Sequence, residues 1–88
     1  MVKRGAVADI ELTLLGRRNC HLCEDMRREL SELPVRASLV IHYLDIDEDP
    51  VLADKFNEIV PVLMHGQNEL GRVRLDTELV LAYLDQLT

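Results

Sequence analysis

The sequence contains few of the residues that mark secreted, fibrous or disordered chains. Its 88 residues include only two cysteines, four glycines and three prolines, while 48% of them are apolar. A small secreted protein usually carries four or more cysteines spread along the chain, because a single short disulfide removes little conformational entropy from the unfolded state. This composition therefore predicts one packed domain rather than a disulfide framework or a linker.

Long hydrophobic runs and an excess of basic residues are also absent. The longest apolar run, Leu79–Leu84, is far too short to span a bilayer, and Asp9 soon interrupts the apolar segment near the amino terminus. We therefore expect a cytoplasmic protein with no membrane partner. Acidic residues outnumber Lys plus Arg by 16 to 10, which disfavours nucleic-acid binding. The expected partners are proteins or small molecules, and the expected state is a monomer.

The apolar pattern of the first half predicts a strand, a helix and a second strand. Apolar and polar residues alternate over residues 9–14 and predict a strand that Gly16 ends. Apolar residues then recur at helical spacing over Leu22–Leu33, until Pro34 ends the pattern. Residues 38–46 form a nearly continuous apolar run, which predicts a strand buried on both faces.

The second half predicts a short helix followed by a hairpin. Asp49 is a suitable cap for a helix over residues 50–57, with Pro50 as its first residue. The residues of this helix expected to face the core are Val51, Leu52 and Phe56. Residues 60–65 and 69–75 predict two antiparallel strands joined by a turn at Gly66, Gln67 and Asn68.

A final helix completes the predicted order β-α-β-α-β-β-α. Asp76 is expected to cap this helix. Its predicted buried stripe consists of Val80, Leu84 and Leu87. The first two β-α-β connections are expected to join parallel strands through right-handed crossovers. The predicted fold class is therefore α/β, with a four-stranded mixed sheet flanked by helices.

Both cysteines lie in the motif Cys20-His21-Leu22-Cys23, at the predicted junction between the first strand and the first helix. Residues three apart on a helix share a face, so the two sulfur atoms can approach to disulfide distance. The start of a helix favours a thiolate at Cys20. Cys23 lies further into the helix and is expected to be more shielded, which suits a thiol that resolves a mixed disulfide.

The element order, the Cys-x-x-Cys position and the Val60-Pro61 pair together resemble the thioredoxin fold, and in this compact form a glutaredoxin. The resemblance covers residues 10–87. It implies a thiol-disulfide oxidoreductase in which Cys20 attacks a disulfide or a glutathione mixed disulfide and Cys23 resolves the product. No cofactor is then required, and glutathione is a candidate reductant or co-substrate.

The resemblance also implies a set of substrate-binding residues. Arg17 stands three positions before the first cysteine, where the family has a basic residue that contacts glutathione. Pro61 resembles the family's cis-proline opposite the cysteines, and Val60 would offer its backbone to the substrate. Arg72 and Asp76 occupy the region where the family holds glutathione at the last helix.

The sequence departs from the glutaredoxin pattern in two places. Glutaredoxins usually carry proline and an aromatic residue between the cysteines, whereas this chain has His21 and Leu22. The family often has Gly-Gly near the end of its fourth strand, and here the match is Gly71-Arg72. We therefore expect weak use of glutathione and a disulfide-containing protein as the better substrate.

Two other functions compete with this reading. Cys20 and Cys23 could bind zinc or an iron–sulfur cluster, completed by His21, His42 or His65 or by a second subunit. A structural zinc site normally takes four protein ligands, commonly from two paired clusters, and the chain has one cysteine pair. The other alternative is a non-catalytic thioredoxin-like interaction domain that keeps its cysteines without turnover.

Some charged residues of the motif region also have ordinary structural interpretations. Arg17 and Arg18 could belong to a solvated loop rather than to a binding site. Glu24 is expected to pair with Arg28, four residues further along the helix.

Overall fold

The computed structural model describes residues 9–35 and 37–87, and these contain four strands and three α-helices in the predicted order. The elements are β1 (Asp9–Gly16), α1 (His21–Ser31), β2 (Ser38–Asp45), α2 (Pro50–Phe56), β3 (Val62–His65), β4 (Asn68–Arg72) and α3 (Thr77–Leu87). A 3-10 turn over Ile46–Glu48, which the sequence pattern did not predict, joins β2 to α2. The basic pair and the apolar residues before Asp9 lie outside the described residues.

The helices begin at side chains that accept backbone N–H groups. Asp49 Oδ1 accepts the N–H of Val51 at 2.9 Å, and Pro50 is the first residue of α2. Asp76 Oδ1 accepts the N–H of Leu79 at 3.2 Å. Such caps satisfy donors that have no partner inside the helix. Both predicted caps are confirmed.

The four strands form one mixed sheet in the order β2-β1-β3-β4. β1 and β2 are parallel, whereas β3 is antiparallel to β1 and β4 is antiparallel to β3. The prediction of a second parallel crossover is therefore wrong. A parallel β3 would require the chain to return along the whole length of β2, which is about 26 Å for its eight residues. The seven residues of α2 span only about 10 Å. The chain stays at one end of the sheet, so β3 enters from that end.

The prediction that residues 38–46 are buried on both faces is also wrong. β2 has β1 as its neighbour on one side, and on the other side no strand of the described residues pairs with it. Its residues alternate between half-buried and exposed, and Val40 and Leu44 are 37% and 45% exposed. Only one face of β2, that of Leu39, Ile41 and Tyr43, packs against the core.

The core consists of two apolar clusters, one on each face of the sheet. The larger cluster joins one face of β1 to α1 and α3, through buried residues that include Leu12, Leu14, Met26, Val80 and Leu84. The smaller cluster packs Phe56 of α2 against the other face, and its buried members are Leu15, Ile46, Phe56 and Val62. Helices therefore flank the sheet on both faces, as predicted for the fold.

Two residues assigned to the core by their spacing are exposed. Val51 is 73% exposed, because it lies five residues before Phe56 and so points about 140° away from it around the helix. Leu87 is 42% exposed, since it lies in the last turn of α3, beyond the buried Val80 and Leu84.

The hairpin strands are shorter than predicted. β3 begins at Val62, after Val60 and Pro61, rather than at residue 60. β4 spans residues 68–72 rather than 69–75, because Val73 turns the chain with a φ of 66°. Across the described ranges, no helix is both long enough and apolar enough to cross a membrane.

Candidate active site

Three chain segments meet at one edge of the sheet, by which we mean the edge formed by the carboxyl end of β1 and the strand ends beside it. The loop of residues 17–20 continues directly from β1. β3 is antiparallel to β1, so Val60 and Pro61, which precede β3, lie at the same edge. The end of β4 also lies there, because Arg72 pairs with Val62. The topology therefore brings the predicted catalytic cysteines to one edge together with four of the predicted substrate-binding residues, which are Arg17, Val60, Pro61 and Arg72.

The two cysteines form a disulfide across the first turn of α1, with their Cα atoms 5.2 Å apart. Cys20 is the N-cap residue, and its Sγ accepts the N–H of Cys23 at 3.1 Å. Cys20 is half-buried, whereas Cys23 has no exposed surface. The outer sulfur is thus accessible to a substrate, and the inner sulfur is shielded behind it.

Pro61 lies beside the carboxyl end of β1. The Val60-Pro61 peptide bond is cis, as the resemblance implies. Leu15 pairs with Val62, so continuing this antiparallel register places Pro61 opposite Gly16. The main-chain N–H of Val73 donates to the carbonyl of Pro61 at 2.7 Å and ties the segment after β4 to the segment before β3. Val60 is half-buried at the start of this segment.

Arg17 is held by the protein itself. Its Nε and a terminal nitrogen donate to the two carboxylate oxygens of Asp47 at 3.2 and 2.7 Å. Its other terminal nitrogen donates to the carbonyl of Asn57 at 2.8 Å. The hydrogen bonds from Arg17 to Asp47 raise the pKa of the guanidinium above its usual value. Arg17 therefore anchors the loop to the 3-10 turn and to the end of α2, and much of its charge is compensated.

Two more basic residues of this edge, Arg18 and Arg72, also have acidic neighbours. Arg18 is largely exposed and lies 3.8 Å from a carboxylate oxygen of Asp45. Arg72 makes a two-point ion pair with Glu69, at 2.6 and 2.7 Å. Hydrogen bonding to Arg72 lowers the pKa of Glu69 below its usual range. An anionic substrate would compete with an internal carboxylate for each of these arginines.

The acidic residues after Cys23 pair differently from the prediction. Asp25, rather than Glu24, pairs with Arg28, at 3.2 Å. The other carboxylate oxygen of Asp25 lies 3.7 Å from Nε2 of His21, which is one turn earlier in α1. Side chains three residues apart on a helix are neighbours, as are those four residues apart, so Asp25 can pair with Arg28 as readily as Glu24 could.

A cleft of about 200 Å³ opens beside the cysteine loop. It lies between α1 and the segment that follows β4, and its lining includes Leu22, Met26, Val73 and Leu75 as well as charged groups. A larger cleft of about 400 Å³ between α3 and the end of α1 includes Ile10 at the start of β1 and therefore lies at the far end of the sheet. The smaller cleft is the one that a substrate of the cysteines could contact.

The histidines proposed as metal ligands have other neighbours. His42 Nε2 lies 2.8 Å from a carboxylate oxygen of Glu11 on the neighbouring strand. His65 Nδ1 lies 2.6 Å from the hydroxyl of Tyr83. Among residues 9–35 and 37–87, no group of three or more histidine, cysteine or acidic side chains is arranged to hold a metal ion.

Three residues of this edge were not identified from the sequence. Asp47 belongs to an acidic run, but no local pattern shows that it reaches Arg17. Val73 carried no signal for its positive φ. Tyr43 lies near the end of β2, on the face that packs under α1, and its alternation with Leu39 and Ile41 could have placed it there.

Known proteins share this fold. The solution NMR structure of protein Ne2328 from Nitrosomonas europaea is 33% identical, covers 83% of this chain and 88% of its own, and has a TM-score of 0.72. The X-ray structure of protein XcR50 from X. campestris is 32% identical, with 85% and 96% covered and a TM-score of 0.68. No match was found among curated proteins. The family model described as Glutaredoxin-like domain (DUF836) matches residues 11–85. The chain therefore belongs to this glutaredoxin-like family.

Proposed function

We propose that the protein is a thiol-disulfide oxidoreductase that acts through Cys20 and Cys23. The proposal rests on one observation, which is the unequal exposure of the two cysteines that form the disulfide. Cys20 is half-exposed at the start of α1, and Cys23 is buried behind it. A helix start stabilises a thiolate at the outer position, and a shielded inner thiol is suited to intramolecular attack.

In the proposed reaction, the Cys20 thiolate attacks one sulfur of a substrate disulfide. A Cys20–substrate disulfide forms, the substrate bond breaks, and the other substrate sulfur leaves as a thiolate that takes up a proton. Cys23 loses its proton and attacks Cys20 Sγ, which closes the Cys20–Cys23 disulfide and releases the second substrate sulfur. The substrate disulfide is thereby reduced to two thiols, and the two protein thiols are oxidised to a disulfide.

The charge pattern supports a protein disulfide as the better substrate. Glutathione is an anionic tripeptide, and it would approach a protein of formal net charge −6. Arg17 and Arg72, which the family resemblance assigns to glutathione, are each held by an internal carboxylate. A protein substrate can instead contact the apolar surface of Leu22 and the backbone of Val60. Glutathione would then act as a weak co-substrate or as a reductant.

A cytoplasmic location, which the sequence predicts, is part of the same proposal. In a reducing cytoplasm, a pool of small thiols or another dithiol protein would return Cys20 and Cys23 to the thiol form after each turnover. A single protein chain supplies both cysteines, so the proposed reaction needs no second subunit.

Incubation of the reduced protein with oxidised glutathione, followed by intact mass analysis, tests the proposal. We expect an internal disulfide, detected as the loss of two hydrogens, with a transient glutathione adduct. In the Cys23→Ser variant the adduct on Cys20 should accumulate, because no inner thiol resolves it. Absence of any mass change in the wild-type protein would contradict the proposal and favour an interaction domain without turnover.

A further inference from the structure

Tyr43 and Cys23 approach each other across Gly16. The hydroxyl of Tyr43 and Sγ of Cys23 both contact the space that a Cβ atom on Gly16 would fill. A methyl group built there would lie 2.5 Å from the Tyr43 hydroxyl oxygen and 3.2 Å from Cys23 Sγ. The hydroxyl and the sulfur therefore border the same small volume, which only a glycine leaves open.

The environment of Cys23 is unfavourable for a thiolate. Its side chain has no exposed surface, so water does not solvate the negative charge that forms when the thiol loses its proton. The next two residues of α1, Glu24 and Asp25, are acidic and add to this penalty. Yet the resolving step of the proposed reaction requires Cys23 to be a thiolate. A hydrogen-bond donor near Sγ would offset the cost.

We propose that the Tyr43 hydroxyl donates a hydrogen bond to the Cys23 thiolate in the reduced protein and so promotes the resolving step. This role in turnover rests on the proposed function, whereas the hydrogen bond itself does not. In the disulfide form the sulfur is a weak acceptor, and no hydrogen bond links the hydroxyl to another described residue. Reduction of the disulfide, followed by loss of the Cys23 thiol proton, supplies a charged acceptor at the same place. Tyr43 keeps its proton throughout and acts by stabilising the charge on sulfur.

The charged groups around Tyr43 agree with a donor role at neutral pH. Burial raises the pKa of Tyr43 above its usual value, and the Glu24 and Asp45 carboxylates raise it further. Arg27 acts in the opposite direction, with its guanidinium carbon 5.5 Å from the centre of the Tyr43 ring. The hydroxyl is therefore protonated at neutral pH.

The test uses the other tyrosine of the chain as a matched control. Tyr43→Phe and Tyr83→Phe each remove one hydroxyl and keep the ring, and the Tyr83 hydroxyl contacts His65 and Asn68 on the β3–β4 hairpin. Both substitutions are made in a Cys20→Ser background, so that Cys23 is the only thiol. The Cβ chemical shift of isotope-labelled Cys23 is followed against pH to obtain its pKa, and turnover is not required.

We expect Tyr43→Phe to lower the thiolate fraction of Cys23 about tenfold at pH values well below its pKa, as loss of a hydrogen bond to a charged group predicts. Tyr83→Phe should leave it unchanged. An unchanged pKa in Tyr43→Phe, or an equal shift in both variants, would overturn the inference. In the protein with both cysteines, Cys23 should resolve the glutathione adduct on Cys20 more slowly when Tyr43 is replaced by phenylalanine. A pKa shift in Tyr43→Phe, together with no mass change when the reduced wild-type protein is incubated with oxidised glutathione, would instead contradict the proposed function and leave the hydrogen bond established.

Discussion

The main-chain N–H of Val73 donates a 2.7 Å hydrogen bond to the carbonyl of Pro61, and Val73 reaches this position with a φ of 66°. Left-handed backbone is disfavoured for a β-branched residue, at a cost of about 1–2 kcal/mol. The bond joins the segments that flank β3 and β4 at the edge where the cysteines lie.

We predict that Val73→Gly stabilises the protein. Relief of the left-handed strain outweighs the greater chain entropy that glycine adds to the unfolded state, so the free energy of unfolding should rise by about 0.5–1 kcal/mol. Denaturant unfolding measures the change. The adjacent Arg74→Gly is the control, because Arg74 has no positive φ and its variant should lose about 0.5–1 kcal/mol. Destabilisation by both variants would show that Val73 is unstrained.

Gly16 and Gly71 differ in the space available for a side chain. Gly16→Ala should lower the free energy of unfolding by about 1–3 kcal/mol, since the new methyl group would overlap the Tyr43 hydroxyl. At Gly71 the nearest atom is the Arg74 carbonyl oxygen at 3.8 Å, so Gly71→Ala should be neutral or slightly stabilising. Thermal unfolding of both variants tests this. Equal stability of the two would mean that Tyr43 moves aside without cost.

The two cysteines should differ in reactivity. Cys23→Ser retains the half-exposed Cys20 at the helix start, and it should be alkylated at least about tenfold faster at neutral pH than Cys20→Ser, which retains the buried Cys23. Alkylation rates measured against pH distinguish a difference in the accessibility of the thiol from a difference in its pKa. Faster reaction of the variant that retains Cys23 would reverse the proposed roles.

Asp47 should limit the use of glutathione through its hold on Arg17. Asp47→Asn weakens the two-point ion pair and leaves Arg17 available to a glutathione carboxylate. We expect the rate of reaction with a glutathione mixed disulfide to rise roughly threefold or more, with a smaller change for a protein disulfide.

Asp54→Asn is the matched control for this effect. Asp54 is exposed on α2, and its substitution changes the net charge by the same amount without releasing Arg17. A similar increase in both variants would assign the effect to overall charge. Loss of this increase in the double variant Asp47→Asn/Arg17→Ala would confirm that Arg17 contacts glutathione.

The sequence was sufficient for the features that depend on local chemistry. The capping residues Asp49 and Asp76, the breaks at Gly16 and Pro34, and the apolar periods of β1 and α1 all act over a few residues. The Cys20–Cys23 spacing likewise indicates the disulfide. These patterns are enough to determine the element order and to place the cysteines at a strand-to-helix junction.

Features that depend on neighbours distant in the chain were predicted less well. An apolar run cannot distinguish a central strand from the edge strand β2, because burial depends on which elements cover it. The direction of β3 followed from the short reach of α2 rather than from its own sequence. The pairing of Arg17 with Asp47 spans 30 positions, and the contact of Tyr43 with the Gly16 site depends on the register between β1 and β2.

The most direct test of the proposed function is catalysis of disulfide reduction in a protein substrate. Reduction of insulin by dithiothreitol is followed with a catalytic amount of the wild-type protein, and with Cys20→Ser and Cys23→Ser at the same concentration. We predict acceleration by the wild type, complete loss in Cys20→Ser, and a large loss in Cys23→Ser. Equal rates with wild-type protein and with Cys20→Ser would contradict the claim that this cysteine pair is an active site.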